Sequence, residues 1–252
     1  MKQRKRYERS DVMAPSAHKT RNALIALAAI VIMLAGGVLA LWNLAQAHSQ
    51  LGDTGLSASV EKNGGKNTAT INTQVSDHVI TTVLVFIHAD KDESVLSSAK
   101  LLSLDQSAGK GFIVNLPIDM AVSLDEAQST LANVFKKQQS QGSIGVVSAA
   151  TGVQISHVMV VNSYGWEKVL GLSNVGATQL AHQATELLSI LHTDMSAPEL
   201  LNLAETTHGI GRKNLSVVEA PCTSIAGTDG ATQTVVDPEQ LGLTLGTLVE
   251  KQ

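Results

Sequence analysis

The stretch HVITTVLVFIH, His78 to His88, decides the fold. Between its two histidines every residue is apolar or β-branched, without the polar alternation of a strand that has one wet face. Such a strand is covered on both sides, which predicts a central position in a sheet that carries helices on both faces. Downstream, AKLLSL (Ala99–Leu104) and GFIVNL (Gly111–Leu116) flank DQSAGK, where Asp105, Gly109 and Gly111 supply turn chemistry, so these two are expected to pair as an antiparallel hairpin.

Further along, Ser123 followed three residues later by Glu126 reads as a capping box for a helix running to about Gln139. A short helix over Ser143–Thr151, closed by Gly152, comes next, then a strand in QISHVMVVN (Gln154–Asn162) and a helix beginning at Ser163. ATQLAHQATELLSILH (Ala177–His192) carries a helical stripe at Leu180, Leu187, Leu188 and Leu191, and Ser196 with Glu199 makes a second capping box. LSVVEA (Leu215–Ala220) and TQTVV (Thr232–Val236) read as strands, and Asp237 with Pro238 opens a last helix. Strands alternating with helices predict an α/β domain over residues 77–252, a mixed central sheet sandwiched by helices.

Upstream the character changes. Ala23 to Trp42 is 20 residues without a charge, which at about 1.5 Å rise per residue spans the hydrocarbon layer and predicts a transmembrane helix over 23–42. Residues 1–22 hold seven Lys and Arg against Glu8 and Asp11, so the positive-inside rule makes them a cytoplasmic basic tail and puts everything after the helix outside the cell membrane, in a single-pass arrangement. Ala45-Gln46-Ala47 matches a signal-peptidase site, but the apolar run exceeds a cleavable core of about 7–15 residues, and an uncleaved anchor is the expectation. Residues 43–76, rich in Gly, Ser, Thr, Asn and Gln, read as a flexible extracytoplasmic stalk with a short strand near Thr68–Ile71.

Composition excludes several functions. Aromatic residues are 3% of the chain and the part beyond the membrane helix is acidic, which disfavours nucleic acid both as a stacking partner and as a polyanion. A single cysteine, Cys222, allows no internal disulfide, and its place near a strand end reads as a small core residue. GxGxxG, Walker, GxSxG, HExxH and CxxC patterns are absent. What remains is polar residues at strand ends: His88, Asp90 and Lys91 after the first strand, and Asp119 in the turn after GFIVNL. Two carboxylates outside the carboxyl ends of strands suit Mg²⁺, and they equally suit turns and caps. His88 and His157 read as hydrogen-bonded structure before they read as ligands.

The order of these pieces resembles the LytR-CpsA-Psr family. TTVLVFIHAD, then SSAKLLSLDQSAGKGFIVNLPIDMAV, then TGVQISHVMVVNSYGWEKVLGL follow that family's Gly-x-Asp strand, its Asp-Thr strand and hairpin ending in Pro-Arg-Asp, and its following strand-helix segment. TDMSAPELLNLAETT and TVVDPEQLGLTLGTLV are similar to its closing elements. Members transfer glycopolymers from polyprenyl-pyrophosphate carriers to peptidoglycan, with carboxylates holding Mg²⁺ and arginines clamping the pyrophosphate.

The resemblance puts Asp90 on the first family aspartate and Pro117 with Asp119 on the Pro-Arg-Asp motif. His88 stands for the glycine, Ser97 and Ser98 for Asp-Thr, and Ile118 for the arginine; the later segment that supplies further arginines is missing. Arg212 is the single arginine after residue 42. Lysine is a point charge and does not reproduce the planar guanidinium fork. The resemblance therefore implies a membrane-anchored protein of cell-envelope glycopolymer assembly that acts as a non-catalytic accessory or binding module. Its ligands would gather at His88, Asp90, Lys91 and Asp119, Mg²⁺ would sit at Asp90 and Asp119, and Asp119 would be a vestigial catalytic group. Its partner would be a polyprenyl-phosphate carrier, a wall glycopolymer or an envelope protein. The alternatives are a divergent phosphotransferase using Asp90, Asp119, Lys91 and Lys110, and a stalked protein-interaction domain.

Overall fold

The computed structural model describes residues 50–124, 127–172, 190–226 and 232–251. The expected basic tail and membrane helix, and most of the Ala177–His192 stripe, lie outside them. Among the described residues no helix is long and apolar enough to cross a membrane.

In chain order the strands are β1 (Gln50–Leu51), β2 (Thr73–Val75), β3 (Ile80–Ala89), β4 (Asp92–Asp105), β5 (Lys110–Leu116), β6 (Ala121–Leu124), β7 (Ala127–Thr130), β8 (His157–Asn162), β9 (His192–Thr193), β10 (Leu215–Glu219), β11 (Cys222–Ala226), β12 (Thr232–Val236) and β13 (Leu248–Glu250). Among the described residues the α-helices are α1 (Thr54–Asn63), α2 (Leu131–Thr151), α3 (Ser163–Leu172), α4 (Ala197–Ile210) and α5 (Pro238–Leu245). Seven strands form one mixed sheet in the order β1-β9-β8-β3-β4-β5-β10, so β3 is its middle strand.

The sequence of β3 accounts for that position. Leu84 and Phe86 point to one face, where Leu56 of α1, Leu131, Val134, Phe135 and Val147 of α2 and Leu241 and Leu245 of α5 close over them. Val83, Val85 and Ile87 point to the other, against Trp166 of α3 and Leu200, Leu203 and Ile210 of α4. Phe86 and Phe135 meet with ring centroids 5.1 Å apart, a tilted pair of the favoured kind. β4 and β5 are antiparallel, closed by the Asp105–Lys110 pairing, as the turn residues require.

Three local expectations are corrected. The stalk reading fails from residue 50 onward: Asp53 caps α1 through the Gly55 and Leu56 amides, and Leu56 is fully buried in the core. Polar composition concealed a helix that contributes one apolar anchor. The short strand lies at Thr73–Val75, paired with β13, instead of near Thr68–Ile71. The helix does not start at Ser123, because β6 and β7 pair as a hairpin there with Val122 buried. It starts at Leu131, where the Thr130 hydroxyl accepts from the Asn133 amide, and it breaks at Gln139, whose φ of 57° and ψ of −163° interrupt α2. The second capping box is real: the Ser196 amide and hydroxyl both donate to Glu199 Oε2 at 2.7 Å.

Candidate functional site

β3, β5, β8 and β10 all run out at one edge of the sheet, since β3 is parallel to β8, β5 is parallel to β10, and β4 lies antiparallel between β3 and β5. In open α/β sheets ligands collect outside such carboxyl ends. β5 leaves the sheet through the turn Pro117–Met120, in which the Met120 amide donates to the Pro117 carbonyl at 3.2 Å. Met120 is fully buried and Ile118 packs against the same core, while the Ile118 carbonyl accepts from the Ala132 amide in the first turn of α2. Asp119 is left exposed, and its Oδ2 accepts from the Thr234 hydroxyl at 3.3 Å. The aliphatic side chain at 118 is therefore part of the packing.

The other expected group sits on the β3–β4 hairpin. Asp90 and Lys91 form its turn, both exposed, with Ala89 paired to Asp92 and register shifts around His88. Ser97 and Ser98 lie in this irregular part of β4. His88 directs Nδ1 at the Ala89 carbonyl, 3.0 Å away. The hairpin carries Asp90 beyond the level where β5 ends, because Phe86, Ala99 and Leu116 are in register across the three strands. His88 at the end of β3, Asp90 and Lys91 in the turn that follows it, and Asp119 in the separate turn after β5 thus share the sheet's carboxyl end. Lys110 begins β5 and lies at the opposite end of that strand from Asp119. Among the described residues no set of three or more His, Cys, Asp or Glu is arranged to hold a metal ion.

A polar row at the same end was missed. Lys100, Asn115 and Glu219 are adjacent across β4, β5 and β10 by register. Lys100 Nζ donates to Asn115 Oδ1, and Asn115 Nδ2 donates to Glu219 Oε1 at 2.6 Å. The ammonium also lies 5.9 Å from the Trp166 ring centroid, within cation–π range. Partial burial pulls its pKa below the ordinary lysine value while the Glu219 charge opposes that. The readable signal was the one charged residue, Lys100, inside the strand run AKLLSL.

Cys222, expected in the core, is exposed at the start of β11. Lost hydration and then the charges of Asp119 and Glu219 push its thiol pKa up, which disfavours the thiolate a nucleophile needs. At the far end of the sheet the Nδ1 of His157 bonds to Asp194 Oδ2 at 2.9 Å. At the same end His78 Nδ1 meets Asp105 Oδ2 at 2.7 Å, while His192, level with Phe86 by register, meets Asp53 Oδ2 through Nε2 at 2.6 Å. Asp194 lies 36 residues from its backbone partner Val158, so no local pattern announced it.

No family model and no curated protein matches the sequence. Solved structures do match the fold. The structure described as the transcriptional regulator yvhJ from Bacillus subtilis superposes with a TM-score of 0.51 at 13% identity, covering 68% of this chain and 96% of that one. B. subtilis TagV gives 0.50 at 10% identity, covering 68% and 97%, and TagT bound to LI-WTA gives 0.52 at 8% identity, covering 73% and 95%. The structural neighbours are thus of the LytR-CpsA-Psr type that the sequence motifs resemble. At these identities the likeness establishes a shared fold.

Proposed function

We propose that the chain is a membrane-anchored, extracytoplasmic protein of cell-envelope glycopolymer assembly that binds a polyprenyl-linked carrier or its glycan without transferring it. The observation that carries this reading is the Pro117–Met120 turn. It keeps the carboxylate of Asp119 exposed at the sheet's carboxyl end while the position that would clamp a phosphate is Ile118, packed against the core. The fold shared with TagV and with TagT bound to LI-WTA supports the envelope setting.

Phosphoryl transfer depends on cations placed in advance against charge that develops on oxygen, and loss of one such donor costs about 10²- to 10³-fold by analogy with oxyanion holes. Asp119 and Glu219 both act electrostatically on Cys222, and two carboxylates in that neighbourhood repel a pyrophosphate. Mg²⁺, where bound, would neutralise phosphate charge. Asp119 and Asp90, the latter making no side-chain hydrogen bond among the described residues, are the carboxylates to hold it, together with oxygens of the carrier, since this ion is commonly bound through one or two carboxylates plus substrate phosphates. The phosphotransferase alternative is weakened by Lys110, at the wrong end of β5 to assist Asp119.

The test is native mass spectrometry of the full-length protein extracted from its own membranes. Co-purifying polyprenyl-phosphate mass that Asp119→Ala reduces would support the binding reading; an empty protein, or one indifferent to Asp119→Ala, would remove it.

A further inference from the structure

β10 is the last strand of the seven-stranded sheet, and among the described residues no strand pairs with its outer edge. The Ala220 amide donates to the Asn115 carbonyl at 2.9 Å. Main-chain groups alternate sides along a strand, so those of Ser216 and Val218 also turn toward β5, while those of Leu215, Val217 and Glu219 face away from the sheet. Among the described residues no hydrogen bond reaches these outward groups. The sheet's other edge strand, β1, is two residues long and offers no comparable row.

The side chains along this edge suit a partner. Val217 is 65% exposed, although Leu215 and Val218 on either side of it pack against the core. Natural edges are commonly blunted by a charge, a proline or a bulge, and none of these stands at the centre of β10. The charges lie at its two ends instead, Lys213 just before the strand and Glu219 as its last residue, both exposed. Lys213 has no partner among the described residues, and Glu219 gives Oε1 to Asn115 and keeps Oε2.

A strand that is positive at its start, apolar in its middle and negative at its end is complementary to its own reversed copy. With a two-fold axis at Val217, Val217 faces Val217 of the second copy and Leu215 faces Glu219, and each facing pair exchanges two main-chain bonds, about six in all. Lys213 of one copy then lies diagonal to Glu219 of the other, within reach of a long side chain. A parallel copy would set like charges abreast.

We propose that the chain forms a two-fold dimer in which the outer edges of two β10 strands pair antiparallel and join the two sheets into one. Lys213 of the second copy stands at the carboxyl end of the first sheet, a positive charge beside Glu219. The dimer is independent of the carrier-binding reading, and its test contains no carrier.

The experiment is native mass spectrometry of the full-length protein released from detergent micelles over a concentration series, where the dimer has twice the mass of the 26.4 kDa chain. Val217→Pro removes an outward amide that bonds nothing within the sheet, a change an edge strand tolerates, and should leave a folded monomer. Lys213→Glu sets like charges together at both ends of the pairing and should raise the dissociation constant about tenfold, and adding Glu219→Lys should recover most of that loss. A dimer that survives in folded Val217→Pro protein, or a Lys213→Glu loss that Glu219→Lys does not reverse, would overturn the proposal. So would an unaltered protein that stays monomeric, whether empty or carrying a peptide that Val217→Pro releases, the latter assigning the edge to another protein. If Val217→Pro does not fold, the charge reversal and its rescue decide.

Discussion

Asp194 accepts with both carboxylate oxygens, from His157 Nδ1 and from the Val158 amide, and its own carbonyl accepts from the Ser57 hydroxyl of α1. Asp194→Asn leaves one of those two donors facing an amide NH₂. The expected loss is about 1–3 kcal/mol of stability, read from denaturant unfolding near neutral pH. The pH dependence has a definite sign. The Asp194 hydrogen bond outweighs burial and raises the His157 pKa. Its contribution is therefore full below the unfolded histidine value of about 6.5 and fades as pH rises through the folded value. The gap between the original protein and Asp194→Asn should narrow from mildly acidic to alkaline pH; a gap that widens would refute the pairing. Asp90 and Asp119 were legible in the sequence because each follows an apolar strand run. Asp194 and Glu219 were not, because their partners His157 and Asn115 come from distant strands and only pairing register brings them together.

Among the elements, α1 and α2 test how the chain is used. If residues 54–63 were stalk, Leu56→Ala would be silent. With Leu56 fully buried beneath the sheet, it should cost about 2–5 kcal/mol, visible as a drop in thermal midpoint. Gln139 holds a backbone conformation that glycine adopts freely and other residues do not, at a cost of order 1–3 kcal/mol. Gln139→Gly should therefore raise the melting temperature, and a fall would show that the break in α2 is not strained. β3, β4, β5, β8 and α4 were legible from local pattern, since long apolar runs, Asp/Gly turns and the Ser196–Glu199 box act within a few residues. α1 was not, because one leucine in a polar stretch makes no periodicity. The Ser123–Glu126 box misled because Val122, burying its side chain from a hairpin, outweighs a capping pattern whose apolar stripe begins only at Leu131.

For the whole molecule, the basic residues 1–22 before the uncharged span 23–42 give the topology prediction: protease added to intact protoplasts should remove the domain that begins after the span and leave the tail. Protection of the domain would contradict it. The fold brings His88, Asp90, Lys91, Asp119 and the Lys100–Asn115–Glu219 row to one end of a seven-stranded sheet and the His157–Asp194 and His78–Asp105 pairs to the other. Binding at the carboxyl end without turnover is the central claim. The direct measurement is to give the full-length protein in nanodiscs Mg²⁺, a polyprenyl-pyrophosphate-linked glycan and a peptidoglycan acceptor, and to follow glycan transfer. The account predicts bound glycan and no transferred product, for the original protein and Asp119→Ala alike. Transferred product that disappears in Asp119→Ala would contradict it.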